Sequence, residues 1–194
     1  MATWQEVNGD ETLALDWTIG ENALVWEIGG FEGRWASQMV EKYNPMMHIF
    51  EPQQWAVEHL KTRFAGAPKV SIHPFGLWTH DTKLRLWEHD TDGASVVKNN
   101  GRTSEVCDFE DIFKYINTTD VDVCLMNIEG AEYALIPYLL GLGMMERFRY
   151  FWCQFHPETS LFSEQKEARI FNGMFATHRV MWSYLPTAVA WERR

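Results

Sequence analysis

The spacing of apolar and polar positions changes period several times along the chain, and each change marks an element. Residues 1–20 carry scattered hydrophobes with no sustained period, which predicts an N-terminal arm with room for one short helix, in a position to cover a site. From Ala23 to Ile28 the run Ala-Leu-Val-Trp-Glu-Ile is short, apolar and ends at Gly29-Gly30, the pattern of a buried parallel strand feeding a turn. Ala36, Met39, Val40 and Tyr43 then recur at i, i+3, i+4 and i+7, giving one apolar helical face that Asn44-Pro45 stops. Met46 to Phe50 reads as a second strand. Val57, Leu60 and Phe64 lie on one face of a helix ended by Gly66 and Pro68, and Val70 to His73 reads as a third strand.

The stretch from Leu77 to Val97 is different. Lys83-Leu84-Arg85-Leu86-Trp87 alternates polar and apolar as a half-exposed antiparallel strand does, so 77–97 is predicted to be an insertion of β character. Helical spacing resumes with Phe109, Ile112, Phe113 and Ile116, with Asp108 as the N-cap. Val121 to Ile128 is the fourth main strand, and Ala131, Ala134, Leu135, Tyr138 and Leu139 give a helix reaching Gly141. Arg149 to Phe155 is a strand rich in aromatics, and a last helix runs from about Phe162 to Ala176. Two closing strands follow, Val180–Tyr184 and Thr187–Trp191, joined at Pro186. Strands alternating with helices predict an α/β fold: a mostly parallel sheet with helices on both faces and an antiparallel C-terminal hairpin. A chain of 194 residues fits a single domain spanning 1–194.

Composition adds limits to this outline. The chain is 46% hydrophobic, and its ten Trp and twelve Phe exceed what a core of this size hides, so some should line a pocket or an interface; a monomer and a homodimer both remain open. The net charge of -10 argues against nucleic acid as a partner, since phosphate affinity comes from clustered Lys and Arg. Cys107, Cys124 and Cys153 are odd in number, far apart and in apolar surroundings, and are expected to be buried, reduced thiols. With no charged-then-apolar leader and no run near 18 apolar residues, a cytoplasmic protein without a membrane partner is expected. The histidines show no metal-ligand spacing.

In an open parallel sheet a ligand binds beyond the carboxyl ends of the strands, where the strand order reverses. The turn there reads Glu27-Ile28-Gly29-Gly30-Phe31-Glu32-Gly33. A dinucleotide turn carries its second glycine where this chain has Phe31, and an acid precedes the turn. Acid-x-Gly-x-x-x-Gly suits a cationic amino-acid moiety better than two phosphates. Glu51, ending the second strand, is suited to accept both hydroxyls of an adenosine ribose. A plain strand-to-helix turn and a solvated loop acid account for the same residues singly.

Three segments in order, Glu27-Ile-Gly-Gly-Phe-Glu-Gly33, Ile49-Phe50-Glu51-Pro52 and Asn127-Ile-Glu129-Gly-Ala-Glu132, resemble the signatures of the FkbM family of methyltransferases over roughly residues 22–156. The resemblance implies a Rossmann-like, seven-stranded class I methyltransferase fold, S-adenosylmethionine as donor with S-adenosylhomocysteine as product, and O-methylation of a sugar or natural-product hydroxyl, hence a small-molecule or carbohydrate acceptor. It implies that Glu27, Gly29, Gly30 and Gly33 surround the methionine end and that Glu51 holds the ribose. Phe50, Phe75 and Gly76 would then wall the adenine, with Asn127 beside the cofactor. The family usually has acids where this chain has Asn127 and Gln154, which puts the proton acceptor in doubt.

Glu129 and His156 are the candidate bases, because both follow strands whose ends face the cofactor. Acids in a first helical turn, such as Glu129 and Glu132, also complement the helix dipole, and His156 before Pro157 also reads as a loop histidine. Trp78, His80, Trp87 and His89 read equally as an acceptor pocket or an exposed hairpin. Two alternatives stand beside the methyltransferase: a non-catalytic S-adenosylmethionine-binding domain, and a nicotinamide-dependent oxidoreductase, which the turn spacing disfavours.

Overall fold

The computed structural model of the chain describes residues 3–87, 93–98 and 103–194. Strands and helices alternate from the outset: β1 (Leu24–Ile28), α1 (Arg34–Tyr43), β2 (Met46–Phe50), α2 (Gln54–Arg63) and β3 (Val70–His73). Val25 to Ile28 are buried without alternation, as befits a strand covered on both faces. α1 turns Trp35, Ala36 and Met39 inward and stops at Asn44, whose left-handed φ of 48° ends the helical path.

The chain then leaves the main sheet for β4 (Gly76–Trp78), β5 (Thr82–Trp87) and β6 (Ser104–Asp111), a small sheet ordered β4-β6-β5. β6 corrects the helix expected over Phe109 to Ile116. Cys107 and Phe109 face inward while Val106 and Asp108 are exposed, a period of two that pairing with β5 fixes. The helix that remains, α3 (Phe113–Ile116), is one turn long, and Asp111, not Asp108, accepts its Phe113 N–H at 2.9 Å. Asp108 instead pairs with Lys83 across the strands at 2.7 Å.

The main sheet resumes with β7 (Val121–Met126), α4 (Glu132–Gly141), β8 (Phe148–Gln154), α5 (Glu164–Thr177), β9 (His178–Tyr184) and β10 (Ala188–Arg193). Its order is β3-β2-β1-β7-β8-β10-β9, parallel from β3 to β8, with β10 antiparallel to both its neighbours. The order reverses between β1 and β7, which opens a crevice at their carboxyl ends. α4 and α5 pack on one face around Trp26, Phe50, Phe148 and Trp191. α1 and α2 cover part of the other face. The rest of that face is covered by the N-terminal arm, which forms two 3-10 turns, Gly9–Glu11 and Leu13–Leu15, rather than an α-helix. Trp4 fits among the rings of Trp152, Trp182 and Tyr184, with centroids 5.8, 5.0 and 5.5 Å away. Trp17 and Trp35 both donate to the Ala14 carbonyl at 2.8 Å, which fastens the arm to α1.

The three cysteines are buried free thiols, and burial pushes Cys107 up to about 12. No helix among the described residues is long and apolar enough to cross a membrane.

Gly33 tests the packing of the first turn. It sits at φ +72°, and a Cβ there would lie 2.6 Å from Leu60 Cδ2 and 2.8 Å from Phe64 Cε2. Gly33→Ala is expected to cost roughly 1–3 kcal/mol and to lower the urea midpoint with the slope unchanged. An unchanged midpoint would show that α1 and α2 do not meet as described.

Candidate functional site

The two turns at the switch point touch each other. Asn127 N–H donates to the Ile28 carbonyl at 3.0 Å, and Gly29, at φ +89°, leaves so little room that a Cβ would fall 2.0 Å from the Asn127 oxygen. Gly29 and Gly30 N–H groups both turn back to the Phe50 carbonyl, at 3.0 and 3.3 Å. The glycines are therefore required by the meeting of β1, β2 and β7 before any ligand is considered.

Glu51 lies at the end of β2, almost wholly buried. Its Oε2 accepts Phe31 N–H and its Oε1 accepts Gln53 N–H, both at 2.8 Å, so one carboxylate ties the turn after β1 to the turn after β2. Burial pushes its pKa up to about 7, while the two N–H groups pull it back. Glu27 is also buried. Desolvation, with the Glu51 charge added, raises it well above the ordinary carboxylate range against one N–H from Ala36. Its Oε2 and Asn127 Oδ1 are buried acceptors with no hydrogen-bond partner among the described residues.

Two clefts flank these groups and share Gly29, Phe31 and Asn127. The first runs under the small sheet. Glu51 and Gly76 border it, Leu77, Leu86, Val96 and Phe109 make it apolar, and Glu129 stands at its edge. The second lies between the arm and the main sheet, with Glu27, Asp10, Trp35, Gln38, Trp152 and Gln154 around it. The cations at the rims are engaged: Arg34 pairs with Glu11, and Lys98 lies 3.1 Å from Glu129 and 2.9 Å from Glu158.

Glu129 and His156 come together. His156 Nε2 lies 2.9 Å from Glu129 Oε1, its Nδ1 lies 3.1 Å from Glu132 Oε1, and its backbone N–H donates to that same oxygen at 2.8 Å. Burial disfavours the imidazolium, but the two carboxylates outweigh it and raise His156 to about 9. Glu129 is likewise pushed up by burial, yet His156 and Lys98 hold it below its ordinary value. Its backbone is left-handed, φ +52°, and its carbonyl accepts Ser95 Oγ at 2.6 Å.

Glu27, Gly29, Gly30, Phe50, Glu51, Gly76, Asn127 and Glu129 thus border one cleft or the other. Gly33, Phe75 and His156 border neither. Gly33 serves helix packing, the Phe75 ring stacks on Tyr115 at 5.8 Å, and His156 lies behind Glu129. Trp78 and Trp87 also lie away from both clefts, since on alternating strands their neighbours Leu77 and Leu86 take the inward positions. His89 lies outside the described residues. Glu132 has more than a dipole role: it is wholly buried and also accepts Gly130 N–H at 2.8 Å. Its setting among Ala131, Tyr133, Ala134 and Leu135 is the sequence signal for that.

The strand order is that of the Rossmann-like α/β fold shared with solved methyltransferase structures. No family model matches the sequence, and no curated protein matches it in sequence. Solved structures do match. An rRNA methylase from Streptococcus thermophilus is similar over 100% of this chain and 98% of its own, with a TM-score of 0.54 and 9% identity. The fibrillarin/Nop5p complex gives 0.58 at 12% identity over 98% of this chain and 82% of the other. Precorrin-6y C5,15-methyltransferase from Geobacter metallireducens gives 0.52 at 9% identity, over 98% and 88%.

The exclusion of nucleic acid drawn from net charge is corrected by the first of these, because an rRNA methylase carries the same fold along nearly its whole length. A net charge is a sum over the chain, whereas a phosphate-binding surface is a local patch.

The pKa shifts set a sign for stability against pH. A group whose pKa is raised by folding stabilises the fold fully below its unfolded value and loses that contribution as pH climbs through the folded value. Glu51, raised from 4.5 to about 7, and His156, raised from 6.5 to about 9, both act this way. The denaturant midpoint of the free chain is expected to fall between about pH 5 and pH 9.5, and Glu51→Gln to make that fall shallower by on the order of 3 kcal/mol, Glu27 still contributing to it. A midpoint that climbs from pH 5 to pH 7 would contradict it.

Proposed function

We propose that this chain is a cytoplasmic S-adenosylmethionine-dependent methyltransferase, a single domain that O-methylates a hydroxyl of a sugar or natural-product-like acceptor, as its resemblance to the FkbM family implies. The observation that carries the reading is the pair of unpartnered buried acceptors, Glu27 Oε2 and Asn127 Oδ1, beside the glycine turn. Two acceptors without donors fit an ammonium group. They do not fit a pyrophosphate, and the rim cations that could meet one are already paired with acids.

In this reading Glu27 and Asn127 accept from the amino group of the methionine end, and the remaining lone pairs of Glu51 accept the ribose hydroxyls. Leu77, Leu86 and Phe109 enclose the base and exclude water. S-adenosylmethionine, when bound, supplies an electrophilic methyl group on a sulfonium sulfur. Holding acceptor and donor in line supplies up to about 7–11 kcal/mol of the barrier, so positioning is the main task of these walls. His156 keeps its proton at neutral pH between two carboxylates. Glu129, ionised and at the edge of the first cleft, is therefore the better proton acceptor of the two. His156 holds Glu129 in place.

Thermal shift with S-adenosylmethionine, S-adenosylhomocysteine and NAD tests this. Either adenosyl compound at about 100 times its dissociation constant is expected to raise the midpoint by roughly 5–11 °C. Glu51→Ala should weaken both by about tenfold or more while the fold persists. A shift with NAD alone would sink the reading. Transfer is then followed on a panel of polyols and sugars, with a short RNA included because an rRNA methylase shares the fold. Adenosyl binding with no transfer to any of them favours a non-catalytic binding domain.

A further inference from the structure

The second cleft contains a buried polar group that the reading above leaves unused. Trp152 is 4% exposed and its Nε1 has no hydrogen-bond partner among the described residues. Trp26 and Trp191 share that lack, but neither borders either cleft, and Trp152 does. Rings of Trp4, Trp35 and Trp182 surround it, with centroids 5.8, 6.1 and 6.0 Å away, so the indole is fixed by the arm, by α1 and by β9 together. A desolvated N–H with no acceptor destabilises the fold, and a ligand oxygen would remove that cost.

The sheet register says what that ligand group is. Glu27 pairs with Leu125 and Leu125 with Trp152, so Glu27 and Trp152 emerge on one face of the sheet with Leu125 between them as floor. Two strand spacings separate their backbones, about 10 Å. That is roughly the span of an ammonium and a carboxylate on one carbon with a hydrogen bond at either end. Glu27 Oε2 at one end of the row and Asn127 Oδ1, just past the middle strand, are acceptors without partners among the described residues, and Trp152 Nε1 at the other end is a donor without one. Asp10 and Glu32 line the cleft together with Glu27, and Arg34, which also lines it, is paired with Glu11. A lone carboxylate would be repelled there, whereas a zwitterion brings its own positive charge to Glu27.

We infer that Trp152 is a positioning residue whose indole N–H, across the cleft from Glu27, receives the carboxylate of a zwitterionic α-amino-acid group. The inference rests on the methyltransferase reading, where that group is the methionine end of the cofactor. Trp152 thereby selects the amino-acid end of the ligand as Glu51 selects its ribose.

Calorimetric titration of the full chain with three ligands tests it: S-adenosylhomocysteine, its decarboxylated analogue, and 5′-methylthioadenosine, which lacks the amino-acid end. The wild-type chain is expected to bind S-adenosylhomocysteine about tenfold or more tightly than the decarboxylated analogue. Trp152→Phe should remove that preference and leave 5′-methylthioadenosine within about twofold of its wild-type affinity. Equal wild-type affinity for the first two ligands overturns the inference without need of a variant. A Trp152→Phe chain that keeps the preference, or loses all three ligands alike while folded, overturns it too. If none of the three binds the wild type, the methyltransferase reading falls with it; binding without discrimination sinks this inference alone.

Discussion

One buried carboxylate holds the carboxyl ends of the first two strands in shape. Glu51 takes the N–H of Phe31 with one oxygen and that of Gln53 with the other, so the turns leaving β1 and β2 share a single anchor. Burying the charge is costly, and two charge-assisted hydrogen bonds offset only part of the cost. What results is a fixed loop. Phe31 is held at a left-handed φ of 44°, a strained conformation for a bulky residue, and it is common to both clefts. The shape of each cleft therefore follows from the same pair of hydrogen bonds.

Charge is distributed unevenly about this anchor. On the β1 and β2 side Glu27 and Glu51 face each other's field, and one carboxylate oxygen lacks a donor. On the β7 and β8 side every acid is matched: Glu129 by Lys98 and His156, and Glu132 by His156 and two backbone N–H groups. The network at the satisfied end also fastens the small sheet, since Ser95 and Lys98 both reach Glu129.

Much of the scaffold was legible because burial there follows local pattern. β2 and β3 span the predicted residues, their apolar runs being bounded by proline or glycine signals. The failure at β6 is instructive: Phe109, Ile112, Phe113 and Ile116 do recur at helical spacing, but Cys107 and Phe109 also alternate with exposed residues. The choice between the two periods was made by β5, a partner that no local window contains. The same holds in the site. Glu27 and Glu51 could be found from their places at strand ends, whereas the enclosure of Trp152 needs the arm, α1 and β9 at once. Likewise the contact of His156 with Glu132 depends on how two loops from neighbouring strands fall together. Net charge misled for a related reason, being a global sum applied to a local question.

The arm carries a consequence for the order of assembly during synthesis. Trp4 emerges from the ribosome before any strand of the sheet, yet the rings that receive it include Trp182 and Tyr184 of β9. Until those residues have been translated, the arm has only part of its seat, and the cleft that Asp10 borders lacks a wall. Domains generally fold as units. The cleft is therefore fully walled only once β9 has been made, and a nascent chain stalled before β9 would have its central strands without that wall.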